Sequence, residues 1–130
     1  MEDQLFDHLY QNIKHGRLEA VQAYLDAGGY PDLCNRNGWS LLMATAFSGN
    51  SRILTALLDR EAVLEITNVA GETALSLAAG GGHAKCVRLL LARGASVSVR
   101  PLGWPLSQFM KHARCPSAEV DELLADAGAG

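Results

Sequence analysis

Apolar residues recur along the chain at helical spacing, in short segments that glycines separate. Near the N-terminus, Leu5, Leu9 and Ile13 lie one helical turn apart, which predicts a helix with one buried face. Segments 87–91 and 120–124 place valine and leucine at positions i, i+3 and i+4, which predicts two more amphipathic helices. Helices of about ten residues are marginally stable alone in water, so we expect neighbouring helices to bury these faces.

The glycines follow a repeat of 33 residues, and this repeat organises the whole chain. Three series share the spacing: Gly16, Gly49 and Gly82; Gly38 and Gly71; and Gly28 and Gly94, with Glu61 midway between the last two. Such a period is typical of repeat proteins. It predicts one domain over residues 1–130, built from units at about 2–34, 35–67, 68–100 and 101–130.

The third unit shows most clearly how each repeat is built. Its pattern predicts a first helix over 73–79, a turn at 80–82 and a second helix over 83–92. Gly94 follows, where a left-handed residue commonly ends a helix. Beyond it, segment 95–100 alternates valine with serine and arginine, which predicts an extended turn.

The motif in segment 71–83 connects the repeat to a known family. It reads G-E-T-A-L-S-L-A-A-G-G-G-H and resembles the ankyrin repeat motif G-x-T-P-L-H-x-A-A-x-x-G-H. The V-x-x-L-L-x-x-G-A run that follows in that family matches residues 87–95, and weaker copies occupy the other units. The resemblance implies an all-α ankyrin-repeat solenoid of stacked helix-turn-helix units with short β-turn fingers. A match of this kind is specific for fold and weak for function.

Two positions in the middle units depart from the family motif. Leu41 and Ala74 stand where the motif has proline, and Met43 and Ser76 stand where it has histidine. In the family, that histidine gives hydrogen bonds to the turns, so we expect somewhat looser loops here. The resemblance also implies that His83 caps its helix or hydrogen-bonds within its own turn.

Composition excludes several classes of protein. The 130 residues are 48% hydrophobic and 19% charged, which excludes a disordered tail. No apolar run approaches the roughly 20 residues of a membrane span, and no export signal is recognised, so we expect a cytoplasmic protein without a membrane segment. Cys34, Cys86 and Cys115 lack Cys-x-x-Cys spacing, which favours reduced thiols and no metal site.

No pattern of residues indicates catalysis or cofactor binding. Segment 80–85, G-G-G-H-A-K, lacks the spacing and the preceding strand of a phosphate loop, and we interpret it as a turn between helices. Neither a G-x-S-x-G elbow nor an H-E-x-x-H pair occurs. An enzyme would require a reactive Cys34 or a histidine in a cleft. We therefore expect a protein that is not an enzyme and has no cofactor.

Charge is unevenly distributed, although the formal net charge is only −3. No acidic residue occurs between Glu72 and Glu119. That stretch contains Lys85, Arg88, Arg93, Arg100, Lys111 and Arg114. This basic stretch favours an alternative function, the binding of nucleic acid or of an anionic surface. The other interpretation is that these side chains solvate outer helix faces, because few aromatic residues are interleaved for base stacking.

In the ankyrin family, the finger tips and the exposed side of each first helix line a concave groove that binds partner proteins. The resemblance therefore implies partner-binding residues at the corresponding positions of this chain. They are Arg36, Asn37, Trp39, Phe47, Val69, Glu72, Gly80, Gly81, Arg100, Leu102, Trp104, Lys111 and His112. We expect Arg36, Arg100 and Lys111 to pair with acidic groups of another protein, and the unbound chain to be monomeric.

Aromatic residues are concentrated at the predicted groove positions. Both tryptophans fall there, together with Phe6 and Phe47. Tryptophan is among the residues most enriched at binding hot spots, so Trp39, Phe47 and Trp104 are the expected anchors. Gly80 and Gly81 would leave a flat floor without side chains in the third unit, where a protruding segment of the partner could sit. The alternative is that Trp39 and Trp104 pack against neighbouring turns and stabilise the stack.

Overall fold

The computed structural model describes residues 2–98 and 116–128. Within these ranges the regular secondary structure is helical, apart from an isolated antiparallel bridge between Cys34 and Ser40. The helices are α1 (Glu2–Lys14), α2 (Leu18–Asp26), α3 (Leu41–Ser48), α4 (Ser51–Asp59), α5 (Ala74–Gly80), α6 (Ala84–Ala92) and α7 (Ala118–Asp126). In the part of the chain that the structure describes, no helix has the length and hydropathy to cross a membrane.

The helices stack in two layers that follow the repeat. In the first layer α1 contacts α3, and α3 contacts α5. In the second layer α2, α4, α6 and α7 contact one another in succession, and each of the first three units packs its own two helices together. This arrangement is a helical repeat solenoid and confirms the predicted fold class. Most of the predicted first half of the fourth unit, with residues 99 and 100 of the extended turn, lies outside the described residues.

Helices α3 and α5 of the first layer form the centre of the core. Residues 41–46 of α3 and 74–80 of α5 are all buried, because the two helices pack against each other and against the second layer. In α1 the buried face consists of Phe6, Leu9 and Ile13, whereas Leu5 is 40% exposed. The prediction that Leu5 belongs to this face is wrong. A spacing of four residues overshoots one helical turn by about 40° at each step, whereas residues 6, 9 and 13 stay within one face.

Polar side chains stabilise the start of α3 and of α5. Ser40 Oγ accepts the N–H of Met43 at 3.2 Å, and Thr73 Oγ1 accepts the N–H of Ser76 at 3.3 Å. In return, Ser76 Oγ accepts the N–H of Thr73 at 2.9 Å, and the sulfur of Met43 lies 3.5 Å from the nitrogen of Ser40. Such reciprocal caps satisfy backbone donors that a helix leaves unpaired. Met43 and Ser76 therefore cap the first helices from the positions where the motif has histidine.

One glycine series coincides with turns in the left-handed region of the backbone. Gly16, Gly49 and Gly82 have φ angles of 70°, 78° and 71°, where a Cβ is strained. A Cβ on Gly49 would also lie 2.5 Å from Nδ1 of His83. The Nε2 atom of His83 lies 3.1 Å from the carbonyl oxygen of Phe47, and the side chain makes no cap hydrogen bond. The expectation that His83 caps its helix or hydrogen-bonds within its own turn is therefore wrong. Because Gly49 has no side chain, the imidazole ring of His83 extends to the preceding unit.

Candidate partner-binding groove

The finger of the second unit, residues 34–40, is held by the side chain of Asn35. Its Oδ1 accepts the backbone N–H groups of Asn37 and Trp39, each at 3.0 Å. The N–H of Asn35 donates to the carbonyl oxygen of Trp39 at 2.9 Å and closes the turn. Gly38 lies inside this turn at a φ of 80°, a conformation that favours glycine. These bonds position the backbone from which the Trp39 side chain projects.

Trp39 and Phe47 form an aromatic pair between this finger and α3. Their ring centroids are 5.5 Å apart, and their planes meet at 85°. Edge-to-face pairs contribute about 0.5–1.5 kcal/mol beyond the area that they bury. Both side chains are half-buried. Trp39 thus packs against the first helix of its own unit and still keeps accessible surface.

A groove opens beside this pair, between α1, the finger and α3. Its volume is about 330 Å³. It is lined by Phe6, Asp7 and Tyr10 of α1, by Asn35, Asn37 and Trp39 of the finger, and by Ala44 and Phe47 of α3. We call the space between these residues the finger groove. It lies where the second finger meets the first helices α1 and α3.

The predicted partner-binding residues fall into several groups. Asn37, Trp39 and Phe47 line the finger groove. Arg36 is exposed on the same finger, and Val69, on the finger of the third unit, is 83% exposed. Five predicted residues lie outside the described ranges: Arg100, Leu102, Trp104, Lys111 and His112.

Glu72, Gly80 and Gly81 lie in surroundings that differ from those that the prediction assumed. Glu72 is half-buried, and its carboxylate accepts the side-chain Nδ2–H of Asn68 at 3.0 Å, so it supports the third finger. Gly80 and Gly81 are both buried. The expectation that they form an exposed floor is wrong, because Gly80 ends the fully buried helix α5 and Gly81 is its C-cap.

Four groove residues were missed: Asp7, Tyr10, Asn35 and Ala44 line the finger groove without having been predicted. Phe6 was predicted at a groove position and does line the groove, but it is only 3% exposed and belongs to the core. Tyr10 could have been predicted from its position one helical turn after Phe6. This spacing places it on the side of α1 that faces α3.

The basic stretch that favoured an anion-binding alternative lies partly on α6. Lys85 and Arg88, with residues of α4, line a cleft of about 340 Å³ between the two second-layer helices. Arg88 forms an ion pair with Glu119 of α7, and Arg93 pairs with Asp59 at 2.8 Å. Acids from other units therefore neutralise part of this positive charge, which weakens the alternative.

The two described cysteines are poorly suited to nucleophilic chemistry. Burial, together with the charge of Asp32, raises the pKa of the Cys34 thiol, which donates to the carbonyl oxygen of Asp32 at 3.2 Å. Burial raises the pKa of Cys86 to about 11. A raised pKa lowers the fraction of reactive thiolate near neutral pH. Among the described residues, no group of histidine, cysteine and carboxylate side chains is arranged to hold a metal ion.

Comparisons with known proteins agree with the repeat geometry. A family model described as ankyrin repeats (3 copies) matches residues 9–101. The chain is 38% identical over 87 residues to the ankyrin repeat and KH domain-containing protein mask of Drosophila melanogaster, which covers 65% of this chain and 2% of that protein. It is 29% identical over 100 residues to the nuclear factor NF-kappa-B p105 subunit of Gallus gallus, covering 71% and 10% respectively. It is 34% identical over 94 residues to ankyrin repeat and SOCS box protein 2 of Bos taurus, covering 72% and 15%.

Helix pairs stacked in two layers, with fingers and first helices bordering a groove, define a helical repeat solenoid. The chain belongs to the ankyrin repeat family, as its motif indicated. Ankyrin repeats are generally non-enzymatic modules for interaction between proteins. The chain spans only 2% to 15% of the length of the three relatives named above.

Proposed function

We propose that the protein is a non-catalytic interaction module that binds a partner protein through the finger groove and the adjacent finger tips. Binding there would mask the segment of the partner that enters the groove. The observation that carries this proposal is the half-exposed Trp39–Phe47 pair in a groove of about 330 Å³. Aromatic side chains in such positions commonly dominate binding, and truncating one can cost about 2 kcal/mol or more.

The two described fingers are joined, which supports a binding surface that continues past the groove. The N–H of Val69 donates to the carbonyl oxygen of Asn37 at 3.2 Å. A Cβ on Gly38 would lie 3.1 Å from the Cα of Asn68, so the fingers approach closely. The exposed apolar side chain of Val69 therefore lies beside the groove. We propose that the surface extends into the fourth unit through Arg100, Leu102, Trp104, Lys111 and His112.

We further propose that the protein acts in the cytoplasm. Cys34 and Cys86 are both free thiols, and one of them is partly exposed. Free thiols of this kind are typical of reducing compartments, which supports the proposal. Detection of the tagged protein by cell fractionation tests it, and recovery from an oxidising compartment would contradict it.

The binding proposal is tested by variants of the groove and of its rim. We expect Trp39→Ala and Val69→Glu to lower the amount of partner that the protein captures from a native lysate by about tenfold. Tyr30→Ala is the matched control, because Tyr30 is an aromatic residue that is 65% exposed outside the groove. It should capture partners at the wild-type level.

Val69→Glu changes only an exposed side chain, so its result is independent of any folding defect in Trp39→Ala. Capture of the same partners at wild-type levels by both folded variants would show that the groove is not the binding site.

The second candidate function is binding of nucleic acid or an anionic surface. The cleft that Arg52, Lys85 and Arg88 line favours it. Contacts to phosphates make affinity fall steeply with salt concentration. A single-stranded oligonucleotide that binds at about 50 mM salt and is released at about 200 mM would support this function. Absence of binding at the lower salt concentration would exclude it.

A further inference from the structure

The finger groove combines aromatic rings with a single carboxylate. Tyr10, Trp39 and Phe47 line it together with Asp7, which is the only charged residue among its described lining residues. Asp7 is exposed, and none of the ion pairs between described side chains includes it. Its negative charge therefore lies beside a groove whose other described lining residues are uncharged.

Trp39 keeps accessible surface in the groove, where its indole can meet a ligand. Trp39 and Phe47 meet at 85°, and both remain half-buried. The faces of aromatic rings carry partial negative charge and attract lysine and arginine cations, most strongly on tryptophan. A nearby carboxylate adds a charge-assisted hydrogen bond to the same cation.

The lining of the groove offers an anion no positively charged partner. No lysine or arginine is among the residues that line it, and Arg36, although on the same finger, is not one of them. The Asn35 and Asn37 side chains are neutral, so their N–H groups would not offset the repulsion between Asp7 and an anion. A carboxylate or phosphate of a ligand would therefore face Asp7 without a compensating cation in the lining. Charge complementarity favours a cationic occupant.

We propose that the finger groove accepts one arginine or lysine side chain of the partner protein, with its charge between Asp7 and the aromatic rings. This inference rests on the proposed function, because it specifies what the same groove binds. A volume of about 330 Å³ lies at the lower end of the range for ligand pockets, about 300–1,000 Å³, which suits one side chain. Apolar residues flanking that side chain would contact Tyr10 and Phe47.

The probes for this inference are three acetylated peptide amides that differ in one residue. The first is Leu-Arg-Leu, and the other two replace arginine with its neutral isostere citrulline or with glutamate. Each peptide is titrated into the isotope-labelled protein, and the indole N–H resonance of Trp39 is followed by NMR. We expect the arginine peptide to bind about fivefold more tightly than the citrulline peptide, and the glutamate peptide to bind most weakly.

The variant Asp7→Asn separates the charge from the shape of the groove. It should weaken binding of the arginine peptide about fivefold and remove the preference over citrulline. Asp121→Asn is the matched control, because Asp121 is an exposed carboxylate on α7. It should leave both affinities unchanged. Equal binding of the three peptides, or an arginine preference that survives in Asp7→Asn, would overturn the inference.

Capture of the protein partner distinguishes this inference from the proposed function. If both are correct, Asp7→Asn and Trp39→Ala each reduce capture. Loss of capture with Trp39→Ala, together with full capture by Asp7→Asn, would overturn the cation site and leave the groove as the binding site. Full capture by both variants would overturn both.

Discussion

Glu61 occupies the position where the repeat would place a glycine, and its backbone has a φ of 62°. The equivalent residues, Gly28 and Gly94, both have a φ of 90°. A residue with a Cβ in the left-handed region costs about 1–2 kcal/mol of backbone strain. Glycine avoids this strain, but it lowers the free energy of unfolding by about 0.4–1 kcal/mol because the unfolded chain gains conformational entropy. We therefore predict that Glu61→Gly raises the free energy of unfolding by about 0.5–1 kcal/mol, measured by urea denaturation.

Gly94→Ala is the matched control for Glu61→Gly and should have the opposite sign. A Cβ on Gly94 would meet no atom within 4 Å, so a loss of stability there would not come from a steric clash with neighbouring residues. We expect a loss of about 1 kcal/mol. If Glu61→Gly were instead less stable than the wild type, the side chain of Glu61 would contribute more than its backbone costs, and the prediction would be wrong.

At the scale of the elements, the third finger depends on Asn68. Its Oδ1 accepts the N–H groups of Ala70 at 3.0 Å and Glu72 at 3.1 Å, and its Nδ2 donates to the Glu72 carboxylate. Asn68 is only 7% exposed, so truncation would leave backbone donors without their partner. We predict that Asn68→Ala lowers the free energy of unfolding by about 2 kcal/mol, measured by urea denaturation.

Asn35 offers the corresponding change in the second finger. It is less buried than Asn68, so Asn35→Ala should cost less stability. Because its Oδ1 holds the backbone of Trp39, the same variant should also weaken partner binding. Thr67 is an exposed neighbour of Asn68, so Thr67→Ala is the control and should change neither stability nor partner binding. A loss below about 0.5 kcal/mol for Asn68→Ala, equal to that of Thr67→Ala, would contradict the prediction.

The helices and turns were predictable from the sequence because each rests on local rules. Helical spacing and the preference of glycine for left-handed backbone act within one unit. The groove was only partly predictable. Trp39 and Phe47 follow from the motif, whereas Asp7 and Tyr10 come from the preceding unit, and their approach depends on how α1 packs on α3. The burial of residues 80–81 was missed for the same reason, since neighbouring helices determine it.

At the scale of the whole molecule, two kinds of contact made by charged side chains join successive units. In the first kind, a carboxylate accepts a backbone N–H of the next unit: Asp32 from Val63 at 2.7 Å and Glu65 from Ser96 at 2.8 Å. In the second kind, exposed side chains form ion pairs. These pairs are Asp26 with Arg60, Asp59 with Arg93, and Glu119 with Arg88. The stability of a solenoid includes such contacts between neighbours, because a single unit cannot bury its apolar face.

The two kinds of contact should differ in strength. The side chains of Arg93 and Asp59 are 40% and 61% exposed, and ion pairs of this kind contribute about 0–1 kcal/mol. The carboxylate of Asp32 instead accepts from a backbone donor that the fold already holds in place, so only one side chain is ordered. Hydrogen bonds to a charged group contribute about 1.5–3 kcal/mol, and partial exposure lowers that value.

We predict that Asp32→Ala lowers the free energy of unfolding by about 1 kcal/mol, whereas Arg93→Ala lowers it by less than about 0.5 kcal/mol. Urea denaturation at about 0.15 M salt measures both values. Asp32→Asn keeps an acceptor oxygen without the charge, so it should lose less stability than Asp32→Ala. Raising the salt to about 1 M should nearly abolish the effect of Arg93→Ala, because exposed charges are screened at that concentration. The opposite order of the two losses would mean that side-chain ion pairs, and not bonds to the backbone, couple the units.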